Sequence, residues 1–212
     1  MIRSAAERIL AGLALMVLSP LLALLALAVA ADSGLPVLFR QKRIGRRGEP
    51  FDLLKFRSMR TGMAGTSITA GSDPRVTRAG AVLRKYKLDE LPQLWNVFNG
   101  TMSLIGPRPE IPRFVDPADP LWRDVLELTP GITDLATLVY RDEESILAGV
   151  TDPEEYYRST VLPAKLRMNL DYARRRTWPL DLELLLLTAR YSFSPAGFDA
   201  DMIRRRLTGA AR

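Results

Sequence analysis

An uncharged, strongly apolar run of 23 residues, from Ile9 to Ala31, limits what this chain of 212 residues can fold into. As a straight helix it would extend about 34 Å at about 1.5 Å per residue, which is enough to cross a hydrocarbon layer of about 30 Å. A cleaved signal peptide would explain the small residues at 28–31. The run is longer than a typical signal core, however, and strongly basic residues follow it: Arg40, Lys42, Arg43, Arg46 and Arg47.

A proline near the middle of this run predicts that the helix is broken there. Pro20, preceded by Ser19, lacks the N–H that a helix interior needs, and its ring crowds the preceding turn. Cations flank both ends of the run, and by the positive-inside tendency both ends then favour the cytoplasmic face. We therefore expect a re-entrant helix over residues 1–31, with a single straight span as the alternative.

The composition narrows the chemistry that is open to the chain. It contains neither Cys nor His, which excludes a disulfide framework, a thiolate zinc site, a thiol nucleophile and a histidine base. Lys and Arg total 30 against 24 Asp and Glu, so an anionic partner such as acidic lipid, nucleic acid or a phosphorylated metabolite is favoured. If the chain is an enzyme, its carboxylates suit a hard cation such as Mg²⁺.

Two short segments after the apolar run predict a β-hairpin. Residues 36–41 and 51–57 have the character of strands, and a glycine-bearing turn separates them. Lys55 and Arg57 lie two positions apart in the second segment, so they should share one face. They either face substrate phosphates or belong to a solvated basic surface on the membrane. The polar segment from Thr61 to Pro74 predicts a loop of about 14 residues, either a lid or a plain surface loop.

Adjacent carboxylates, Asp89 and Glu90, stand where a helix is expected to begin. Apolar residues recur at i, i+3, i+4 and i+7 from Leu91, which predicts a helix from about Asp89 to Asn99 with the acidic pair at its positive end. Neighbouring side chains on a helix point about 100° apart, so one carboxylate could face a phosphorus atom and the other a metal ion. The alternative is that Asp89 is only a helix cap.

An arginine between two prolines follows this helix. Pro107 and Pro109 leave Arg108 little backbone freedom, which suits an oriented phosphate clamp. A rigid surface turn with an exposed arginine is the alternative.

Four sequence motifs carry a resemblance to a known family. They are Phe-Asp-Leu-Leu-Lys-Phe-Arg-Ser-Met at residues 51–59, Leu-Asp-Glu-Leu-Pro-Gln-Leu-Trp-Asn at 88–96, Met-Ser-Leu-Ile-Gly-Pro-Arg-Pro at 102–109 and Pro-Gly-Ile-Thr at 130–133. In this order they closely resemble the bacterial sugar transferase family, the monotopic phosphoglycosyl transferases. The likeness extends from Ser19 to about Thr188, and the absence of multi-span segments resembles a small, core-only member.

The resemblance implies an enzyme that transfers a sugar-1-phosphate from a UDP-sugar to polyprenyl (undecaprenyl) phosphate, releases UMP and uses Mg²⁺. Asp89 matches the nucleophilic aspartate of the family, and Glu90 matches its metal-associated glutamate, so the two carboxylates form the expected metal site. The basic positions of the family site are matched by Lys55, Arg57, Arg84 and Arg108. Ser19 and Pro20 match the break that makes the membrane helix re-entrant.

We expect an α+β, mainly helical fold, with a β-hairpin and several amphipathic interfacial helices around one catalytic core. The core would occupy residues 32–212 on the cytoplasmic face of the bacterial inner membrane, where anionic lipids are expected partners. Nucleic acid is not an expected partner, and a homodimer is left open. The identity of the sugar is not predicted.

The chain departs from the family pattern after Thr133. Family members often continue with Gly and then Leu-Ala-Gln, whereas here Asp134 is followed by Leu-Ala-Thr, and Arg141 precedes three acidic residues. Arg141 is a candidate contact for the nucleotide or the sugar, or else part of a surface run of ion pairs with residues 142–144.

Two rival functions stay open from the sequence. One is a membrane-tethered basic module that binds acidic lipid or nucleic acid without catalysis. The other is an enzyme in which the lipid phosphate attacks the UDP-sugar directly, with Asp89 acting as a base or a metal ligand.

Overall fold

The computed structural model describes residues 2–60, 73–194 and 197–208, and most of the loop predicted at residues 61–74 lies outside this range. The fold is mainly helical, as expected, and it contains two small sheets, of which the second was not predicted. The helices are α1 (Ile2–Ser33), α2 (Arg78–Lys85), α3 (Gln93–Phe98), α4 (Pro120–Leu126), α5 (Leu135–Val139), α6 (Glu143–Ala148), α7 (Pro153–Tyr156), α8 (Leu162–Arg175), α9 (Trp178–Phe193) and α10 (Ala200–Thr208). The strands are β1 (Leu38–Ile44), β2 (Pro50–Phe56), β3 (Ser103–Ile105) and β4 (Gly131–Thr133).

Helix α1 contains the apolar run and is long and apolar enough, from Ser4 to Ser33, to cross a membrane. Its helical backbone continues through Pro20. Pro20 cannot donate to the carbonyl of Met16 four residues earlier, but the Ser19 hydroxyl donates to that oxygen at 2.8 Å. The helix is therefore continuous at the predicted break, and the Ser19 hydroxyl bonds the carbonyl that Pro20 leaves without a backbone donor. A re-entrant course through a membrane stays a prediction.

Both ends of α1 are bonded to the rest of the chain. Near its start, Arg8 donates to the backbone carbonyl of Asn99 at 2.6 Å. Near its end, Asp32 accepts from the N–H of Ala79 at 2.8 Å. The two contacts lie 24 positions apart along the helix, so α1 lies along the body of the protein.

Two small apolar cores join α1 to this body. Ala11 packs in a cluster with Leu53, Val97 and Met102, and Val29 packs in a second cluster with Phe56 and Leu83. The opposite side of α1 is exposed and apolar, as shown by Ile9, Leu10, Leu13, Met16, Val17, Leu24 and Leu27. One face of α1 thus completes the core, and the other presents hydrocarbon to its surroundings.

The two larger cores hold the carboxyl-terminal helices together. One contains Leu135 of α5, Leu184 of α9 and Ile203 of α10, and the other joins α4 to α8 around Trp122 and Leu166. Helix α9 also carries an exposed apolar stripe at i, i+4 and i+8, formed by Trp178, Leu182 and Leu186. The expectation that such helices lie at a membrane interface stays a prediction.

Strands β1 and β2 form the predicted antiparallel hairpin, with Leu38 opposite Phe56 and Ile44 opposite Pro50. Strands β3 and β4 form a second, parallel pair. The chain leaves β3 through Gly106, where a side chain would clash because a Cβ would lie 2.2 Å from the carbonyl oxygen of Thr129. This close approach fixes the path into the Pro-Arg-Pro turn.

The helix predicted from Asp89 to Asn99 is not continuous. Residues Leu88–Glu90 form a single 3₁₀ turn, and α3 begins only at Gln93, after Pro92. Lys87 has a left-handed backbone with φ of 56°, which ends the preceding segment and turns the chain. The acidic pair therefore lies on a tight turn before the helix, and not in its first turn.

Candidate active site

Glu90 is the centre of a buried cluster of charges. Arg108 donates to both of its oxygens, from Nη2 to Oε1 at 2.6 Å and from Nη1 to Oε2 at 3.2 Å. Lys55, from β2, donates to Oε1 at 3.4 Å. This fork-to-carboxylate geometry fixes the glutamate and the arginine relative to each other.

The neighbouring Asp89 has a different environment. It is buried, and its Oδ1 receives no hydrogen bond from the described part of the chain. A buried carboxylate oxygen without a donor is costly, so such atoms often mark a functional position. Gln93, one turn further along, is also buried, and its Nε2 has no partner among the described residues.

The two adjacent carboxyls have pKa values shifted in opposite directions. Burial and the negative charge of Glu90 raise the pKa of Asp89, against the opposing effect of Lys55, Lys87 and Arg108. Burial also acts to raise the pKa of Glu90, but Arg108 and Lys55 outweigh it and hold that pKa well below its usual range. Glu90 is therefore a fixed anion, whereas Asp89 is the more basic carboxylate of the pair.

The pKa values of the two cations of the cluster, Lys55 and Arg108, are also shifted in opposite directions. Burial lowers the pKa of Lys55 despite the nearby Glu90, and Glu90 raises the pKa of Arg108 above its usual value. Arg108 is thus held in its charged form by Glu90.

Asp134 holds the backbone of Arg108 in place. This buried carboxylate caps α5 by accepting from the N–H of Thr137 at 2.7 Å, and it also accepts from the N–H of Arg108 at 3.0 Å. The Thr137 hydroxyl donates to it as well, at 2.7 Å. The two bonds from Thr137, one to each oxygen, thus orient the carboxylate whose Oδ2 accepts from Arg108.

A second buried network holds the end of the Pro-Arg-Pro turn at residues 107–109. Arg43, in β1, donates to the carbonyl of Pro109 at 2.9 Å and lies 3.5 Å from Glu110. The hydroxyl of Tyr157 donates to the other oxygen of Glu110. Burial and this carboxylate raise the pKa of Tyr157, so the phenol stays protonated and keeps donating.

Asn96 fixes β2, the strand that carries Lys55. Its carboxamide accepts from the N–H of Leu54 at 3.1 Å and donates to the carbonyl of Asp52 at 2.8 Å. These bonds hold α3 against the hairpin, so that Lys55 and the acidic pair meet.

Arg57 lies away from this cluster. Its Nη2 donates to the carbonyl of Ser33 at 2.6 Å, to the Ser33 hydroxyl at 3.0 Å and to the carbonyl of Gly34. The side chain is buried and binds the carboxyl end of α1.

Arg84 and Arg141 are engaged elsewhere as well. Arg84 forms an ion pair with Glu144 of α6. Arg141 lies 3.9 Å from Asp142 and 5.9 Å above the ring of Phe198. Of the predicted basic residues, the structure brings Lys55 and Arg108 to Glu90.

The residues present fit a magnesium ion that shares its coordination with a substrate. Among the described residues no three acidic side chains come together. Mg²⁺ commonly takes one or two carboxylates and completes its shell with water and substrate phosphates. The unpartnered oxygen of Asp89 and the carboxylate of Glu90 could supply that protein share.

Sequence reasoning missed the supporting roles of Asp134, Glu110 and Tyr157. The Asp-x-x-Thr spacing from Asp134 to Thr137 is a visible capping pattern, and Glu110 directly follows the Pro-Arg-Pro turn. The partner of Glu110 is 47 positions away, however, and nothing local in the sequence indicates it.

Comparison with known proteins gives a consistent result. A family model described as bacterial sugar transferase matches residues 1–195. The chain is 37% identical over 190 residues to the UDP-glucose:undecaprenyl-phosphate glucose-1-phosphate transferase of Xanthomonas campestris pv. campestris, which covers 86% of this chain and 37% of that protein.

Two further relatives bear related names. The chain is 34% identical over 202 residues to the UDP-glucose:undecaprenyl-phosphate glucose-1-phosphate transferase of Escherichia coli (strain K12), covering 91% of this chain and 40% of the other. It is 42% identical over 135 residues to the UDP-N-acetylgalactosamine-undecaprenyl-phosphate N-acetylgalactosaminephosphotransferase of Aeromonas hydrophila. This match covers 61% of this chain and 32% of that protein. The chain thus spans two fifths or less of the length of these relatives.

Proposed function

This chain belongs to the bacterial sugar transferase family, and on that premise we propose that it transfers a sugar-1-phosphate from a UDP-sugar to undecaprenyl phosphate with release of UMP. The observation that carries the proposal is the contrast within the acidic pair. Glu90 is locked by Arg108 and Lys55, while Asp89 beside it keeps a buried oxygen without a donor.

In the first step, an oxygen of the Asp89 carboxylate attacks the phosphorus that bears the sugar. The bond from that phosphorus to the bridging oxygen breaks, and UMP leaves with the bonding electron pair. In the second step, a phosphate oxygen of undecaprenyl phosphate attacks the same phosphorus and breaks its bond to Asp89. The carboxylate returns unchanged, and covalent capture has divided one difficult transfer into two easier ones.

The cations of the cluster make this attack feasible. An anionic nucleophile is repelled by a diphosphate, so the phosphate charge must be neutralised by fixed positive groups. Lys55 and Arg108 are held at the site by Glu90 and supply that charge next to Asp89. A bound Mg²⁺, with Asp89 and Glu90 as its protein ligands, would add further neutralisation of the diphosphate.

The membrane arrangement forms part of the proposal. We infer that α1 enters and leaves the cytoplasmic leaflet of the bacterial inner membrane, because Arg8 and Asp32 tie both of its ends to the same body. A straight span would place these two ends on opposite sides of a hydrocarbon layer about 30 Å thick. This arrangement keeps the site at the membrane surface, where the phosphate of the lipid acceptor lies.

The reaction is tested by UMP release from protein in nanodiscs that is supplied with Mg²⁺, undecaprenyl phosphate and a panel of UDP-sugars. UDP-glucose and UDP-N-acetylgalactosamine belong in the panel because the relatives carry those names. Release should depend on each component and disappear in Asp89→Asn. Asp152→Asn, an exposed helix cap outside the cluster, is the matched control and should keep full activity.

Intact-mass analysis of the protein after incubation with donor alone tests the covalent step. An adduct of one phosphosugar, absent from Asp89→Asn, is expected. Turnover without any adduct would favour direct attack by the lipid phosphate. Absence of both turnover and adduct with every donor, in folded protein, would favour a membrane-bound module without catalysis.

A further inference from the structure

A polar cavity of about 440 Å³ lies beside the Gly106–Pro107 turn and has no assigned role. It is bordered by the first turns of α1, the end of α8 and the hairpin turn. Lys55, Asp89, Glu90 and Arg108 do not line it, so it is separate from the charge cluster described above. Its volume falls within the usual range of sites for small ligands.

A buried carboxamide without a partner faces this cavity. Asn169 of α8 is 7% exposed and borders the cavity. Within residues 2–60, 73–194 and 197–208, its side chain makes no hydrogen bond to the protein. Its amide atoms are not among the fully enclosed polar atoms without a partner, so they open toward the cavity and can donate to or accept from a ligand there.

Two arginines give the cavity its positive charge. Arg8 donates to the carbonyl of Asn99, and Arg46 donates to the carbonyl of Glu127 at 2.9 Å. In the described part of the chain neither arginine pairs with a carboxylate. A guanidinium carries five N–H groups, so both keep donors for an anion.

The carboxylates that border the cavity are already engaged. Glu7 accepts from the hydroxyl of Ser103 and lies 3.9 Å from Arg176. Asp134 accepts from Arg108 and Thr137, as described above. The lining carries three arginines, Arg8, Arg46 and Arg176, against two carboxylates, Glu7 and Asp134, and this excess of positive charge favours a phosphate ester.

The position of the cavity indicates a lipid as the source of that phosphate. Arg8 is followed along α1 by Ile9 and Leu13, which are 63% and 52% exposed. An apolar surface thus begins where the cationic cavity ends. A membrane phospholipid carries an anionic headgroup next to apolar acyl chains, so it matches both surfaces. A free phosphate ion would contact only the arginines.

We propose that the cavity binds the phosphodiester headgroup of an anionic membrane phospholipid, with Arg8 and Arg46 on the phosphate and Asn169 on a headgroup oxygen. This lipid is neither the donor nor the acceptor of the proposed transfer. It would hold the start of α1 at the membrane surface beside the turn that leads to Arg108.

The test is the number of phospholipids that stay bound when the protein is released from nanodiscs into a native mass spectrometer. Wild type should retain one phosphatidylglycerol and no phosphatidylcholine. The double variant Arg8→Gln/Arg46→Gln and the isosteric Asn169→Asp, which adds a negative charge, should each lower retention at least about tenfold. Arg123→Gln/Arg205→Gln removes two exposed arginines that do not line the cavity and should retain lipid as wild type does.

Four results would overturn the proposal. Equal retention in all variants would show that the cavity binds no lipid, and equal loss in the control would show attraction by surface charge alone. Displacement by one equivalent of undecaprenyl phosphate would make the cavity part of the acceptor site, and displacement by millimolar inorganic phosphate would make it a free anion site. Asp89→Asn should retain the lipid, so failure of the proposed reaction and failure of this site are told apart.

Discussion

Glu90 and Arg108 are joined by two parallel hydrogen bonds, whereas Asp89, the adjacent residue, keeps one buried oxygen without a donor in the described structure. The pairing makes Glu90 a fixed counter-ion for Arg108. It also leaves Asp89 as the carboxylate to which the proposed mechanism assigns the attack. The proposed mechanism rests on this division, and the predictions below test its parts.

Arg108→Lys keeps the charge but loses the fork that bonds to both oxygens of Glu90. Loss of one charge-assisted bond of about 1.5–3 kcal/mol predicts a fall in kcat/KM of about 10- to 100-fold. UMP release measures it. Arg113→Lys, which alters an exposed pair with Glu154, is the control and should change little. Equal activity in both variants would mean that the fork has no part in transfer.

The pH dependence of the reaction should report Asp89. Burial and Glu90 raise its pKa, so the reactive anion forms only as the pH rises through a value above the usual 3.8. The rate of adduct formation should therefore have an acid limb above that value. Glu90→Gln removes the neighbouring negative charge and leaves two cations, so the pKa of Asp89 falls and the limb moves to lower pH.

The raised pKa of Asp89 also affects the stability of the folded protein. A folded state that raises the pKa of a carboxyl favours its protonated form, so the contribution of Asp89 is fully present below 3.8 and is lost as the pH rises through the raised pKa. Asp89→Asn should then have a higher Tm than wild type at neutral pH.

The pH–rate profile has its own contradicting outcome. If the acid limb of adduct formation stays at the same pH in Glu90→Gln, the titrating group is not Asp89.

Asp134→Ala should lower kcat more than it raises KM, because Asp134 bonds the backbone N–H of Arg108 and not its guanidinium. The lost helix cap costs about 1 kcal/mol in addition. Asp152→Ala removes a comparable cap from α7 and serves as the control for that stability effect. If both variants lose stability equally and neither loses kcat, Asp134 is only a cap.

Arg57→Gln should destabilise the protein and leave the KM for the UDP-sugar nearly unchanged. The variant removes the charge-assisted bonds from the buried Arg57 to the carbonyls of Ser33 and Gly34, at about 1–3 kcal/mol, and each kcal/mol corresponds to about 2–4 °C in Tm. Thermal unfolding in nanodiscs measures this, with the exposed Arg60→Gln as control. A large rise in KM at full stability would instead place Arg57 on the substrate phosphates, as the family resemblance implies.

The course of α1 can be tested directly because the chain has no Cys. Ala5→Cys and Leu35→Cys place one thiol at each exposed end of the helix. A membrane-impermeant maleimide should label both in inside-out vesicles and neither in right-side-out vesicles, with Asp201→Cys in α10 as the reference. Labelling of Ala5→Cys from the opposite side would mean a straight span.

The sequence predicted the parts of this site that are local or rigid. The apolar run, the hairpin and the proline-held arginine follow from composition, spacing and turn chemistry. The meeting of Lys55, Glu90 and Arg108 was inferred from the family resemblance, since the three come from separate segments. Whether they bind substrate stays a prediction.

The parts that sequence could not predict depend on where elements end and on distant contacts. Lys55 and Arg57 would share a face in a continuing strand, but β2 ends at Phe56, so the alternation does not extend to Arg57. Arg84 finds Glu144 at a distance of 60 positions. No local pattern indicates such a pair.

The contacts of α1 have a practical consequence for any attempt to make the protein soluble by deletion. Ala11 and Val29 fill two small cores, and removing the helix would uncover Leu53, Val97, Met102, Phe56 and Leu83 together. A fragment starting near residue 32 would therefore aggregate rather than dissolve. Exchanging the helix between relatives should likewise succeed only when the side chains on both sides of these two cores are exchanged with it.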